Sequence, residues 1–214
     1  MDKHILVFGT STTYGAWDLE GGWVARLRKF IDQKILDSNY KEYCLVYNLG
    51  ISGDKSEDIL KRFEGETQAR KGRHNEEIVI LLHLGINDCI YNENLGGLEV
   101  SPEQFKENLT QLITLAKKYS KKIVIIGSMP VDSRVDPMPW AQGRSYRNEY
   151  VEQYNKIMEE VAREGGVPFI EIYQRFVNGD YSSLLSDGVH MTTEGHQQFC
   201  EIVKKFLVEN SFIS

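Results

Sequence analysis

Five short runs of aliphatic and β-branched residues constrain the fold of this chain more than any other feature. They are Ile5–Phe8, Leu45–Tyr47, Ile78–Leu82, Ile123–Ile126 and, more weakly, Phe169–Ile172. The runs are continuous rather than alternating, so they predict strands covered on both faces, as in a parallel sheet lying between helices. Helical periods separate them. Trp23, Leu27, Phe30 and Ile31 share one face of a first helix, and Ile59, Leu60 and Phe63 mark a short second one after Ser56. Ser101, Pro102 and Gln104 read as the N-cap, first-turn proline and capping-box partner of a third. Its apolar face continues through Phe105, Leu109, Leu112, Ile113 and Ala116. A fourth carries Val151, Tyr154, Met158, Val161 and Ala162 and stops at Gly165-Gly166. The last runs from about Thr193, with Phe199, Ile202, Val203, Phe206 and Leu207 on one stripe. Alternation of this kind predicts an α/β fold, a three-layer α/β/α sandwich around a five-stranded parallel sheet with right-handed crossovers.

The chain of 214 residues fits a single domain over 1–214, long enough to bury a core without staples. A net charge of −6 gives no footprint for nucleic acid or anionic lipid. The longest aliphatic run, Ile78–Leu82, falls far short of the roughly 20 residues that span a bilayer, so no membrane insertion is expected. No basic stretch leads into an apolar signal core at the start, and a cytoplasmic location is the expectation. Cys44, Cys89 and Cys200 are odd in number and widely spaced, which suits free thiols better than a disulfide framework. No CxxC or Asp/His cluster predicts a metal. The sequence leaves a homo-oligomer open.

Four polar stretches fall at strand ends or just before the last helix. Phe8-Gly9-Thr10-Ser11-Thr12-Thr13-Tyr14-Gly15 follows the first strand, where open α/β folds present reactive or ligand-binding loops. Asn48-Leu49-Gly50-Ile51-Ser52-Gly53-Asp54 follows the second, with glycines that leave backbone N–H groups approachable. Gly85-Ile86-Asn87-Asp88 follows the third, and an asparagine amide there can donate to developing negative charge. Asp187-Gly188-Val189-His190 precedes the final helix; acid and imidazole three residues apart can pair, leaving the second ring nitrogen for a serine. Each stretch also has an ordinary structural reading, as turn, cap or strand closure. Their joint order makes Ser11 the candidate nucleophile. His83 and His196 read as core histidines, and His4 and His74 have no partners that the sequence can name.

These four blocks, in this order and across nearly the whole chain, resemble the SGNH (GDSL-type) hydrolases, serine esterases and lipases on a flavodoxin-like sandwich. Phe8–Gly15 is similar to F-G-D-S-[LIT]-T-x-G, Gly85–Asp88 to G-x-N-D, and Asp187–His190 to D-x-x-H. The resemblance implies a catalytic set of Ser11, Asp187 and His190. It implies an oxyanion hole from the N–H groups of Ser11 and Gly53 and the side chain of Asn87, acting on a small-molecule ester without a cofactor. Thr10 stands where the family carries an acid beside the nucleophile, so the loop lacks that charge.

The proline-punctuated stretch from Ser128 to Arg147 fits neither helix nor strand and is long enough to serve the site. Trp17, Met129 and Trp140 are the candidate pocket residues, because they follow strand ends near Ser11. Two other readings remain. The hydroxyl-rich turn Thr10–Thr13 also suits a flavodoxin-like FMN or phosphate-binding module. Thr10 also leaves room for a hydrolase-like domain that binds acyl or glycan ligands with little turnover.

Overall fold

The computed structural model describes residues 2–72 and 76–213. Its main sheet is made of β1 (Lys3–Gly9), β2 (Cys44–Gly50), β3 (Glu77–His83), β6 (Lys122–Ile126) and β8 (Phe169–Ile170), in the order β2-β1-β3-β6-β8 and parallel throughout. The helices are α1 (Ser11–Tyr14), α2 (Gly22–Asp37), α3 (Ser56–Arg70), α4 (Pro102–Ala116), α5 (Asn148–Glu164), α6 (Tyr173–Phe176) and α7 (Thr193–Glu209). Successive side chains of each strand go to opposite faces. Leu6, Phe8, Ile80, Leu82, Ile123 and Ile125 therefore pack with α3, α4 and α5. Ile5, Val7, Val79, Leu81, Val124 and Ile126 pack with α2 and α7. This is the expected three-layer sandwich.

The elements depart from the sequence reading in four places. β2 continues through Asn48–Gly50, so the second polar block begins inside the strand. α3 is 15 residues long rather than short. The Asp88 carboxylate caps its start by accepting from Ser56 N (2.9 Å), which gives the last residue of the third block a structural task. Ser101 Oγ accepts from Gln104 N (3.2 Å), but the Gln104 amide turns to Asn108 Oδ1 (2.9 Å) and leaves the capping box half made. The fourth departure is a second, antiparallel sheet of β4 (Tyr91–Asn92), β5 (Gly97–Leu98) and β7 (Arg144–Ser145), in the order β5-β4-β7. It draws in the end of the 128–147 stretch. Among the described residues no helix is long and apolar enough to cross a membrane. The three cysteines are free, Cys89 and Cys200 buried and Cys44 half-buried.

Candidate active site

The turn bearing Ser11 is shaped by what lies against it. A Cβ on Gly9 would fall 2.0 Å from Thr13 Oγ1, and one on Gly50 would fall 2.3 Å from Tyr14 N. Only glycine lets β1 and β2 end this close to the turn. Asn48 clamps it, donating from Nδ2 to the Thr13 carbonyl (2.9 Å) and accepting at Oδ1 from Gly50 N (3.0 Å). Thr13 Oγ1 lies 2.9 Å from His83 Nδ1. Thr10 is fully buried, and its hydroxyl is 3.3 Å from that of Thr12. It keeps a hydrogen bond without supplying a charge.

Ser11 opens α1, where a first-turn N–H has no intrahelical partner. Its Oγ lies 2.9 Å from His190 Nε2, and His190 Nδ1 lies 2.7 Å from Asp187 Oδ2. Asp187 Oδ1 accepts from the backbone N–H groups of Val189 (3.1 Å) and His190 (2.8 Å). Burial pushes the Asp187 carboxyl up, but the hydrogen bonds from the His190 ring and these two amides outweigh it and hold it at about 2. The ionised carboxylate favours the imidazole proton on Nδ1, which leaves Nε2 to accept from the Ser11 hydroxyl.

Trp17 belongs to this group. Its Nε1 is 3.1 Å from both Asp187 Oδ2 and His190 Nδ1, and its ring stands edge-on to the imidazole. With the imidazole proton directed at Asp187, the indole N–H donates to the carboxylate. The backbone at Trp17 takes φ +66°, a left-handed conformation uncommon for a residue with a side chain, and the residue is 71% exposed.

The loop after β2 and the loop after β3 meet beside this array. Asn87 is buried and donates from Nδ2 to the Asp54 carbonyl (2.9 Å), next to Gly53, which is exposed with φ +87°. Arg62 fixes that loop, donating to Asp54 Oδ2 (2.7 Å) and to the Leu49 carbonyl (2.8 Å). Asn87 Oδ1 accepts from the Tyr146 hydroxyl (2.8 Å).

The 128–147 stretch braces both halves. Arg134 pairs with Asp132 (2.6 Å) and donates to the carbonyls of Leu185 and Ser186, each at 2.9 Å, while Asp132 N donates to the Gly188 carbonyl (3.0 Å). On the far side Asp18 accepts from Arg26, Thr193 Oγ1 (2.8 Å) and Gly22 N (2.9 Å), tying the segment after Ser11 to α2 and α7. Burial pushes the Asp18 carboxyl up, and these donors drive it well below the ordinary range.

Of the residues expected at the site, the structure brings Ser11, His190, Asp187 and Trp17 together and joins Asn87 to the carbonyl following Gly53. Met129 does not form an open wall. It is buried, and with Thr12, His83, Ser128 and Met191 it lines an internal cavity of about 10 Å³, room for no more than a water. Burial against the second apolar layer accounts for this. Trp140 is 53% exposed on the turn between Met138 and Ala141, with no hydrogen bond to the array among the described residues. His83 and His196 are buried, as expected; His4 Nδ1 meets the Arg70 carbonyl (2.8 Å), and His74 lies outside the described residues. Asp18, Arg62, Arg134 and Tyr146 were not singled out by sequence reading. Arg134 and Tyr146 sat within the flagged loop; Asp18 and Arg62 carried no local signal.

A hydroxyl held by an imidazole that a carboxylate orients is suited to nucleophilic acyl transfer. Among the described residues no cluster of three His, Cys, Asp or Glu could hold a metal. The family model for GDSL-like lipases/acylhydrolases matches residues 7–198. An isoamyl acetate-hydrolyzing esterase of Saccharomyces cerevisiae is 28% identical over 192 residues, covering 80% of this chain and 78% of the yeast protein. A human isoamyl acetate-hydrolyzing esterase 1 homolog is 24% identical over 204 residues, covering 90% of this chain and 76% of that protein. The crystal structure of a lipase/acylhydrolase from Enterococcus faecalis superposes with a TM-score of 0.73 at 25% identity, covering 97% of this chain and 95% of that one. With its sequence matched over most of its length and its fold shared, the chain belongs to the GDSL-like lipase/acylhydrolase family.

Proposed function

We propose that this protein hydrolyses carboxylic esters through an acyl-enzyme on Ser11. His190 takes the Ser11 proton as Oγ attacks the ester carbonyl, and Asp187 steadies the imidazolium that forms. The oxyanion is held by the N–H groups of Ser11 and Gly53 and by the Asn87 amide. His190 then protonates the leaving alcohol, and water repeats the sequence to free the acid. The observation that carries this reading is the continuous chain of contacts Ser11 Oγ, His190 Nε2, His190 Nδ1, Asp187 Oδ2, at 2.9 and 2.7 Å. Thr10 does not interrupt it, because the acid it replaces lies outside that chain.

Relatives named for isoamyl acetate hydrolysis make short-acyl esters the first substrates to try. The FMN reading is less favoured: α1 is a single turn whose serine is already engaged by His190, and Asn87 and Asp187 would have no part in it. The test is hydrolysis of p-nitrophenyl esters of graded acyl length by wild type and Ser11→Ala. The expected result is loss of turnover in Ser11→Ala together with fluorophosphonate labelling of wild type alone; equal rates would overturn the proposal. Asn87→Ala should keep the label but lower kcat by roughly 10²–10³, the usual cost of one oxyanion donor. Near-normal turnover there would remove Asn87 from the mechanism.

A further inference from the structure

A primary amide can turn over about its terminal torsion with little change of shape, exchanging its carbonyl oxygen for its NH₂. In an oxyanion hole the two orientations have opposite consequences. One offers N–H to the developing charge and the other offers a lone pair. Asn87 meets two partners that choose between them. The Asp54 carbonyl can only accept, and it takes one Nδ2 hydrogen at 2.9 Å. The Tyr146 hydroxyl lies 2.8 Å from Oδ1, and for that contact it must donate. Both Asn87 and Tyr146 are buried, at 5% and 7% exposure, so neither amide nor phenol can exchange its partner for bulk water at low cost.

We propose that Tyr146 is a positioning residue for the reaction: its hydroxyl locks the Asn87 carboxamide with the second Nδ2 hydrogen available to the oxyanion. This rests on the assignment of Asn87 as an oxyanion donor. Tyr146 is well placed for the role. It directly follows β7, its backbone N–H is held by the Val135 carbonyl (2.9 Å), and its ring belongs to the same buried apolar cluster as the inner faces of α3, α4 and α5. Burial drives the phenol far above its ordinary range, which favours the protonated hydroxyl that this contact needs. The long segment after β6 thereby acquires a catalytic purpose besides bracing the acid–base loop.

The test is a double-mutant cycle of Tyr146→Phe and Asn87→Ala, with rates expressed per serine titrated to completion by a fluorophosphonate. Tyr146→Phe should lower kcat about tenfold with KM within twofold of wild type, because the lost interaction acts on the transition state. In the Asn87→Ala background the same change should have no further effect. A wild-type kcat in Tyr146→Phe, or an equal loss in both backgrounds, overturns the proposal while leaving Asn87 as a donor. Near-normal turnover in Asn87→Ala would instead remove the reading on which it rests. Should Tyr146→Phe yield no titratable serine, fluorotyrosine at position 146 keeps the ring and strengthens the donor. It should shift kcat only when Asn87 is present, and an unchanged kcat overturns the proposal.

Discussion

Trp17 shows how much a single side chain outside the Ser11–His190–Asp187 set can be asked to do. Its indole N–H meets Asp187 Oδ2 at 3.1 Å, beside the shorter contact from His190. A carboxylate oxygen can accept both, and the second donor restrains the plane of the carboxylate. Trp17→Phe keeps an aromatic ring edge-on to His190 but removes that donor. We expect kcat/KM for a p-nitrophenyl ester to fall about tenfold, the worth of one hydrogen bond to a charged group, with fluorophosphonate labelling retained at a slower rate. Unchanged kcat/KM would reduce Trp17 to a surface residue. At this scale the sequence is informative where the chemistry is local. Asp187 and His190 are three residues apart, so spacing suggests their pairing and the order of the other three polar blocks selects it over an ordinary turn. The partnership of Tyr146 with Asn87 spans 59 residues and leaves no pattern in either neighbourhood.

Among the elements, the longer runs announced themselves and the two-residue strands did not. β3 is legible because all seven of its residues pair with β1, five of them also pair with β6, and both faces are covered. β4, β5 and β7 are two residues each, too short for any periodicity, and exist because backbone groups around the 128–147 stretch find partners there. α3 is longer than its apolar pattern suggests because its charged face is solvated and only Ile59, Phe63 and Thr67 reach the core beyond its first residue. The join between α2 and α7 was invisible in sequence, since Asp18, Arg26 and Thr193 are spread over 175 residues. Its contribution is open to measurement. Asp18→Asn leaves Arg26 nearly buried without a counter-charge, and should cost about 3 kcal/mol of stability in urea unfolding. A loss below about 0.5 kcal/mol, the scale of an exposed pair, would show that the clamp is not structural.

At the scale of the whole molecule, buried histidines set how stability responds to mild acid. Burial lowers His83 to about 3 and His196 to about 4, and the His196 imidazole further opposes protonation of His83. Unfolded histidines titrate near 6.5, so above that pH both states are neutral and neither residue makes stability depend on pH. As pH falls below 6.5 the unfolded chain takes up two protons that the folded protein refuses, and stability is lost down to about pH 4. Asp88, raised by burial to about 6, works in the opposite direction between 6 and its unfolded value. Two protons against one leave a net loss of roughly 1.4 kcal/mol per pH unit from about 5.5 to 5, and the loss steepens toward pH 4 as the unfolded chain also protonates the carboxylates that Asp18 and Asp187 keep ionised in the fold. Urea midpoints measured from pH 7 to 4 should show that decline, and His196→Gln, if folded, should flatten it. A level profile in wild type would mean that water reaches these rings.

Ser11 and His190 lie 179 positions apart and meet in a fold where α7 packs with α2 and the loop ahead of α7 reaches back to the first strand's turn. During synthesis, Ser11 leaves the ribosome long before His190. A chain interrupted before Asp187 holds an ordinary alcohol, however well its first strands have paired. On the proposed mechanism a chain that stops short of His190 lacks the base that activates Ser11, so hydrolysis awaits synthesis through that residue.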